Sequence, residues 1–408
     1  MARPSVNIAT SNGNLNLKAP SEFGTAAILV ASPIAPVAGY GVAFEVRNIA
    51  QVKAAFIQAG NEAVVTAIVA GFYAEAPEGT KLTLLAMAPA STYVQMFLPI
   101  NVEKALTLGL GNIRLIAAIK FPANSYVPVV TNGIDQDVID GVISAQIVAN
   151  AWFAKKKPFR FLIEGFAFVN AGALKDYEPE NKRNGAIIIG SVDNSTALAT
   201  CLALGRLSGI DAQQNIGRIK SGSLKIAETA VVKLAAVIVD QVSDSDLELL
   251  WSKRYIAIEK NQSSSGYVFS DDNALTSVTD DYNNLRYGRV IDNATRVAFA
   301  TYYKELKDDV DVTEGGRLNA VVEKALEIAI ETSIDFNLRA QFSKKSDGSA
   351  DIKCLVNPDL NQYAGLYAAN NITAPNFNII QTGQVYLFLQ MRPKGCLKNI
   401  NVYLGFVA

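Results

Sequence analysis

Histidine is absent from all 408 residues. That absence removes the commonest general base, the commonest transition-metal ligand and the usual partner of a serine or cysteine nucleophile. Ser/His/Asp triads, Cys/His dyads, HExxH zinc sites and histidine phosphotransfer are excluded, while carboxylate pairs, lysine Schiff bases and oxygen-ligated Mg²⁺ sites stay open. Cysteine is scarce, and Cys201, Cys354 and Cys396 stand far apart with no CxxC. This predicts reduced, buried thiols in a reducing compartment. Neither sign of charge dominates: 37 basic against 38 acidic residues leave a formal charge of -1, so composition offers no footprint for nucleic acid or an anionic membrane.

Long apolar runs are missing as well. The longest, "AVVTAIVAGFY" at 63–73, falls far short of the roughly 20 residues that span a bilayer and reads as a buried helix. The opening "MARPSVNIAT" has no basic segment leading into an apolar one, so no export signal is expected and the chain is expected in the cytoplasm when made. No glycine-rich stretch ends in Gly-Lys-Ser/Thr; "GRIKSGS" at 217–223 lacks the P-loop spacing and reads as a loop. The glycines of "GLGNIR" precede a strand rather than follow one, so a dinucleotide-binding turn is unsupported.

What is present is a core-forming composition, 50% hydrophobic and 18% charged, in a chain long enough for two or three domains. Strand-like runs at 26–32, 81–88, 112–119, 159–165 and 185–191 alternate with helical patterns at 49–58, 61–76, 101–109, 135–154 and 195–208. Such alternation predicts an α/β unit with a largely parallel sheet covered on both faces. Beyond about 225 the texture changes, with a capped helix start at "SDSDLELLWSK", a strand at "YIAIEK", helices over 281–307 and 317–334, and a strand-rich tail. The expectation is a mixed α/β protein: an N-terminal α/β domain over 21–225, a second over 226–391, and extended terminal arms at 1–20 and 392–408.

The arms carry strand alternation. Val6 and Ile8 precede a Ser-Asn-Gly-Asn turn signal, and Leu15 and Leu17 follow it; Ile400, Val402, Leu404 and Phe406 share one face of the last strand. Burying those last four side chains yields roughly 6 to 12 kcal/mol, while ordering ten residues costs on the order of 10 to 20 kcal/mol. The segment needs a preformed sheet edge. That edge belongs either to another copy or to the same chain, with 384–391 and 399–407 as an antiparallel pair.

Two clusters of charge stand out. Asp308, Asp309, Asp311 and Glu314 could hold a divalent cation but lack EF-hand spacing and suit a solvated connector, and Asp271–Asp272 with Asp280–Asp281 form a second acidic group. The helix over 317–334 sets Leu318, Val321, Val322, Ala325, Ile328 and Ala329 on an expected core face. Glu323, Glu327 and Glu331 form a row that is either solvated or turned to basic groups elsewhere.

Three stretches together resemble the sheath proteins of contractile phage tails and related injection machines. They are "YGVAFEVRNIAQVKAAFIQAGNEAVVTAIVAGFYAE" at 40–75, the segment 266–306 with its "R..R.ID" match at Arg286, Arg289, Ile291 and Asp292, and the C-terminal order in which Arg392–Pro393 precedes a last strand. The resemblance implies a structural subunit with no catalytic residue, cofactor or metal. It would polymerise as hexameric rings in a helical sleeve within a virion tail. The implied partners are copies of itself, a tail tube protein, and baseplate and tail terminator proteins, with no nucleic acid and no membrane insertion. It further implies that residues 1–18 and 396–408 exchange strands between subunits, and that the C-terminal half faces the tube, with Glu323, Glu327 and Glu331 as candidates for that contact. The alternatives are another self-assembling virion protein, such as a capsid or tube subunit, and a cytoplasmic Mg²⁺-dependent α/β enzyme using Asp308, Asp309 and Asp311.

Overall fold

A computed structural model describes residues 24–398. Ten strands and seven helices suffice to place the functional features. The strands are β1 (Ala26–Ala31), β2 (Ala43–Val46), β3 (Leu82–Met87), β4 (Leu115–Lys120), β5 (Arg160–Glu164), β6 (Gly185–Ile189), β7 (Ile256–Lys260), β8 (Tyr267–Phe269), β9 (Ile352–Val356) and β10 (Leu387–Met391). The helices are α1 (Pro99–Leu108), α2 (Gln136–Ala154), α3 (Thr196–Gly209), α4 (Asp244–Ser252), α5 (Leu285–Tyr302), α6 (Ala320–Leu338) and α7 (Leu360–Ala369).

Eight strands form one sheet in the order β8-β7-β6-β5-β4-β1-β3-β2. The six from β7 to β3 run parallel, and β2 and β8 close the two edges antiparallel. Parallel strands are covered on both faces, which is why β1, β4, β5 and β6 are buried along their whole lengths and are apolar except at the ends of β4 and β5, where Lys120, Arg160 and Glu164 stand. The run 62–75 is helical throughout and widens into π-helix over Ala67–Phe72. It lies hard against α3, where a Cβ added at Gly71 would fall 2.5 Å from the Cβ of Cys201, so glycine permits that close crossing.

The sequence boundary expected at 225 lies between β6 and β7 of this single sheet. The two hydrophobic cores divide instead near residue 288: the first gathers residues from Ala26 to Leu285, and the second runs from Val290 to Val356 with Ala212 added. The segment 210–255 is mostly irregular, so its lost periodicity imitated a linker although the chain returns to the same sheet. The second core packs α5 and α6 around the antiparallel pair β9/β10, with Ile352 opposite Met391 and Val356 opposite Leu387. Of the three cysteines, all unpaired, Cys201 and Cys354 are buried as expected and Cys396 is exposed. Among the described residues, no helix is long and apolar enough to cross a membrane. The expected arm residues Val6, Ile8, Leu15, Leu17, Ile400, Val402, Leu404 and Phe406 lie outside the described residues.

Candidate assembly interface

The joint between the two cores is helix α5, which carries the "R..R.ID" residues. Arg160 at the start of β5 grips Asp292 with two parallel bonds of 2.7 Å, from Nε to Oδ2 and from Nη2 to Oδ1, the bidentate geometry that only a guanidinium provides. Arg286 pairs with Asp272, Nη1 to Oδ1 at 2.6 Å, while the backbone N–H of Arg286 reaches the other oxygen at 3.0 Å. Arg289 donates to the carbonyl oxygens of Leu207 and Ile210 at 2.8 and 3.1 Å. These are carbonyls of the last turn of α3, where a cation complements the helix dipole. Burial nonetheless lowers the Arg289 pKa to about 10. Ile291 packs against the second core. Arg296 extends the series one turn on, donating to the carbonyls of Gly111 and Pro158 at 2.5 and 2.6 Å. A Cβ at Gly288 would strike the Arg160 guanidinium at 2.4 Å, so the helix needs glycine where the arginine crosses it. These motif residues are therefore a brace between cores and not a surface.

The second core carries a sheet edge that is open among the described residues. β10 pairs with β9 on one side, and no other described strand pairs with it. The far edge of β9 is occupied by side chains of α6. Glu331 Oε1 accepts the backbone N–H of Cys354 at 2.7 Å and Glu327 Oε1 that of Val356 at 3.1 Å. Glu323 Oε1 accepts the side-chain amide of Asn357 at 3.2 Å, and Asp335 Oδ1 accepts the N–H of Ala350 at 2.8 Å. The hydrogen bond from Arg339 holds the Asp335 carboxyl below its ordinary pKa. Hydrogen bonds to a charged acceptor are worth about 1.5–3 kcal/mol each. Repulsion along an i,i+4 acidic row costs a few tenths of that, so the row faces the strand and not water.

This corrects the sequence reading of the helix. Glu323, Glu327 and Glu331 are turned inward, and much of the face expected in the core is outside: Val321 is 75% exposed, Ile328 51%, and Phe336, on the same stripe, 87%. Ala325 and Ala329 are exposed with them, while Leu318 is buried and Val322 packs against the core as expected. The side that packs carries Leu326, Ile330, Ile334 and Leu338. Apolar residues occur on two sides of α6, and periodicity alone does not say which side meets the protein. The outward stripe is long enough to be an interface.

Where the last described residues run, Lys398 Nζ donates to Asp271 Oδ2 at 2.5 Å, beside Trp251, whose indole N–H reaches the same oxygen at 3.0 Å. Lys398 and the hydrogen bonds of Trp251 and Asp272 hold Asp271 below its ordinary pKa despite burial, while burial pushes Asp272 up to about 7. Thus the acidic pair Asp271–Asp272 is taken up by Lys398 on one side and Arg286 on the other.

Two further groups bear on chemistry. Asp308, Asp309, Asp311 and Glu314 lie exposed in the connector between α5 and α6, and no cluster of three or more Cys, Asp or Glu placed to hold a metal occurs among the described residues. At the carboxyl ends of β4 and β5, Glu164 accepts from the Tyr93 hydroxyl at 2.5 Å, the Thr196 hydroxyl at 2.8 Å and the backbone N–H of Lys120. Lys120 Nζ binds Asp137 at 2.8 Å and sits 3.8 Å from the centre of the Tyr126 ring. Burial pushes Glu164 up to about 7. Sequence reading missed this knot because its members are scattered over more than 100 residues and share no motif.

No protein-family model and no curated relative matches the chain. Solved structures do. The helical sheath of the anti-feeding prophage in its contracted state is 13% identical, with a TM-score of 0.60, over 99% of this chain and 99% of that one. The sheath complex of the extracellular contractile injection system PVC, also contracted, is 11% identical with a TM-score of 0.60, over 99% and 98%. The sheath tail protein of Desulfitobacterium hafniense is 9% identical with a TM-score of 0.51, over 87% and 95%. The fold is that of these contractile sheath structures, matched over 99% of the chain.

Proposed function

We infer that this chain is a subunit of a contractile sheath, a structural protein that polymerises around a tube and drives it by changing the packing of its copies. The observation that carries the reading is the likeness to a sheath subunit over 99% of both chains, which leaves neither core without a counterpart. In this reading the copies stack as hexameric rings in a helical sleeve. Contraction is rigid-body rotation of subunits that remain tied together, so the role is structural and not enzymatic. The ties are the arms, residues 1–20 and 392–408, which lend strands to neighbours through Val6, Ile8, Leu15, Leu17, Ile400, Val402, Leu404 and Phe406. The edge of β10, unpaired among the described residues, supports this, because an edge of that length invites an added strand.

The first core forms the outer domain and the second the inner wall. The exposed stripe Val321, Ile328 and Phe336 of α6 takes over the tube contact once assigned to the glutamates. A tube protein, a baseplate and a tail terminator complete the particle, a phage tail or injection device assembled in a bacterial cytoplasm.

Electron microscopy of the concentrated full-length chain beside one ending at Lys398 tests the reading. Rings or sleeves that disappear on truncation support it. Monodisperse monomers from both chains, with and without a tube partner, contradict it.

A further inference from the structure

A strand pair has two edges, and here they are treated differently. Among the described residues the edge of β10 is open, whereas that of β9 is lined by Glu323, Glu327, Glu331 and Asp335. The fit is metrical. Four residues of helix rise about 6 Å, and two residues of strand rise roughly 6.7 Å, so carboxylates at i,i+4 keep step with the outward amides of Cys354 and Val356. The carboxylates are themselves steadied: Glu327 Oε2 binds Lys324 at 2.9 Å, and Asp335 is forked by Arg339. The donors that an incoming strand would use on β9 are already engaged.

We propose that this carboxylate row is an edge guard, which confines strand addition by a second copy to β10 and so fixes where, and in which orientation, copies join. The inference rests on the strand-exchange reading above and deepens it: without the guard, one sheet would offer two edges and a growing polymer could branch or misregister. Like-charge repulsion along the helix is the cost of holding the row in place, and the strand amides offset it.

The test uses full-length chains and, as probe, a synthetic peptide of residues 399–408 with a photoreactive group replacing the Leu404 side chain. Cross-links are mapped by mass spectrometry. In the unaltered protein they should fall on 387–391 alone. In the Glu327→Ala/Glu331→Ala variant they should appear on 352–356 as well, with yield there at least about tenfold above background, the worth of roughly one net hydrogen bond. Glu327→Gln/Glu331→Gln, which keeps the acceptors, should behave as the unaltered chain. Cross-links to 352–356 in the unaltered protein, or only to 387–391 in the alanine variant, overturn the guard. Labelling of 352–356 in the alanine variant without any labelling of 387–391 upholds the guard and contradicts strand addition at β10; labelling of neither strand in any protein overturns both. Should the double variant not fold, hydrogen exchange in the unassembled, unaltered chain decides. The amides of Cys354 and Val356 should exchange slowly and those of Leu387, Leu389 and Met391 fast; equal rates overturn the guard.

Discussion

Arg160 and Asp292 meet through two 2.7 Å bonds with both side chains about 5% exposed or less, and they tie the first core to the second across 132 residues of sequence. The pair stands at the joint between the two cores. Removing one partner leaves a buried charge without its counterion, which costs about 3–5 kcal/mol. Asp292→Ala should therefore lower unfolding stability by about that amount in urea titration, with the loss falling on both cores together. A loss below about 1 kcal/mol would mean that the brace is dispensable.

Glu164 supplies a pH dependence with a definite sign. Its folded pKa, about 7, lies above the ordinary glutamate value of 4.5 because burial disfavours the ion. Between those values the folded chain holds a proton that the unfolded chain has released, so stability falls as pH rises through this window and is flat above it. The difference is on the order of 3 kcal/mol. Glu164→Gln should remove this component, read as the difference between the two proteins' stability curves from pH 4.5 to pH 8. Parallel curves would contradict the assignment.

Lys398 clips the segment 392–398, the root of the arm proposed above, to the Asp271–Trp251 pair. Lys398→Ala should free that root. The expected outcome is several-fold faster limited proteolysis within 392–398, with the melting temperature of the body changed little, since the lysine is partly exposed. Unchanged cleavage would show that other contacts hold the segment.

The outward stripe of α6 makes a prediction of the opposite kind. Phe336 is 87% exposed, so Phe336→Asp should change monomer stability by no more than about 0.5 kcal/mol. It should abolish co-assembly with a tube, assayed by sedimentation of sleeves. A variant that assembles normally would remove this face from the interface.

Much of this architecture was legible in the sequence, and the failures have physical causes. The strands "AAILV", "IAAI" and "FLI" announced a covered parallel sheet because no polar residue interrupts them. The helices α2, α3 and α5 appeared near their observed limits. The role of Asp292 was not legible, because its partner Arg160 lies on a different element and pairing across 132 residues leaves no local pattern. The inward turn of Glu327 and Glu331 was hidden for a related reason. A carboxylate on a helix reads as solvated until a strand edge is found to need acceptors. Periodicity marked a single core face on α6, and tertiary packing instead buried the side carrying Leu326, Ile330, Ile334 and Leu338.

The most direct measurement is a cryo-electron microscopy map of the assembled particle in which the backbone is traced onward from Lys398. The account predicts that the strand lying beside Leu387–Met391 belongs to a neighbouring copy, with Ile352–Val356 still faced by its own glutamates. A strand beside β10 that traces back to its own chain, or an edge left empty in the assembled sleeve, would contradict it.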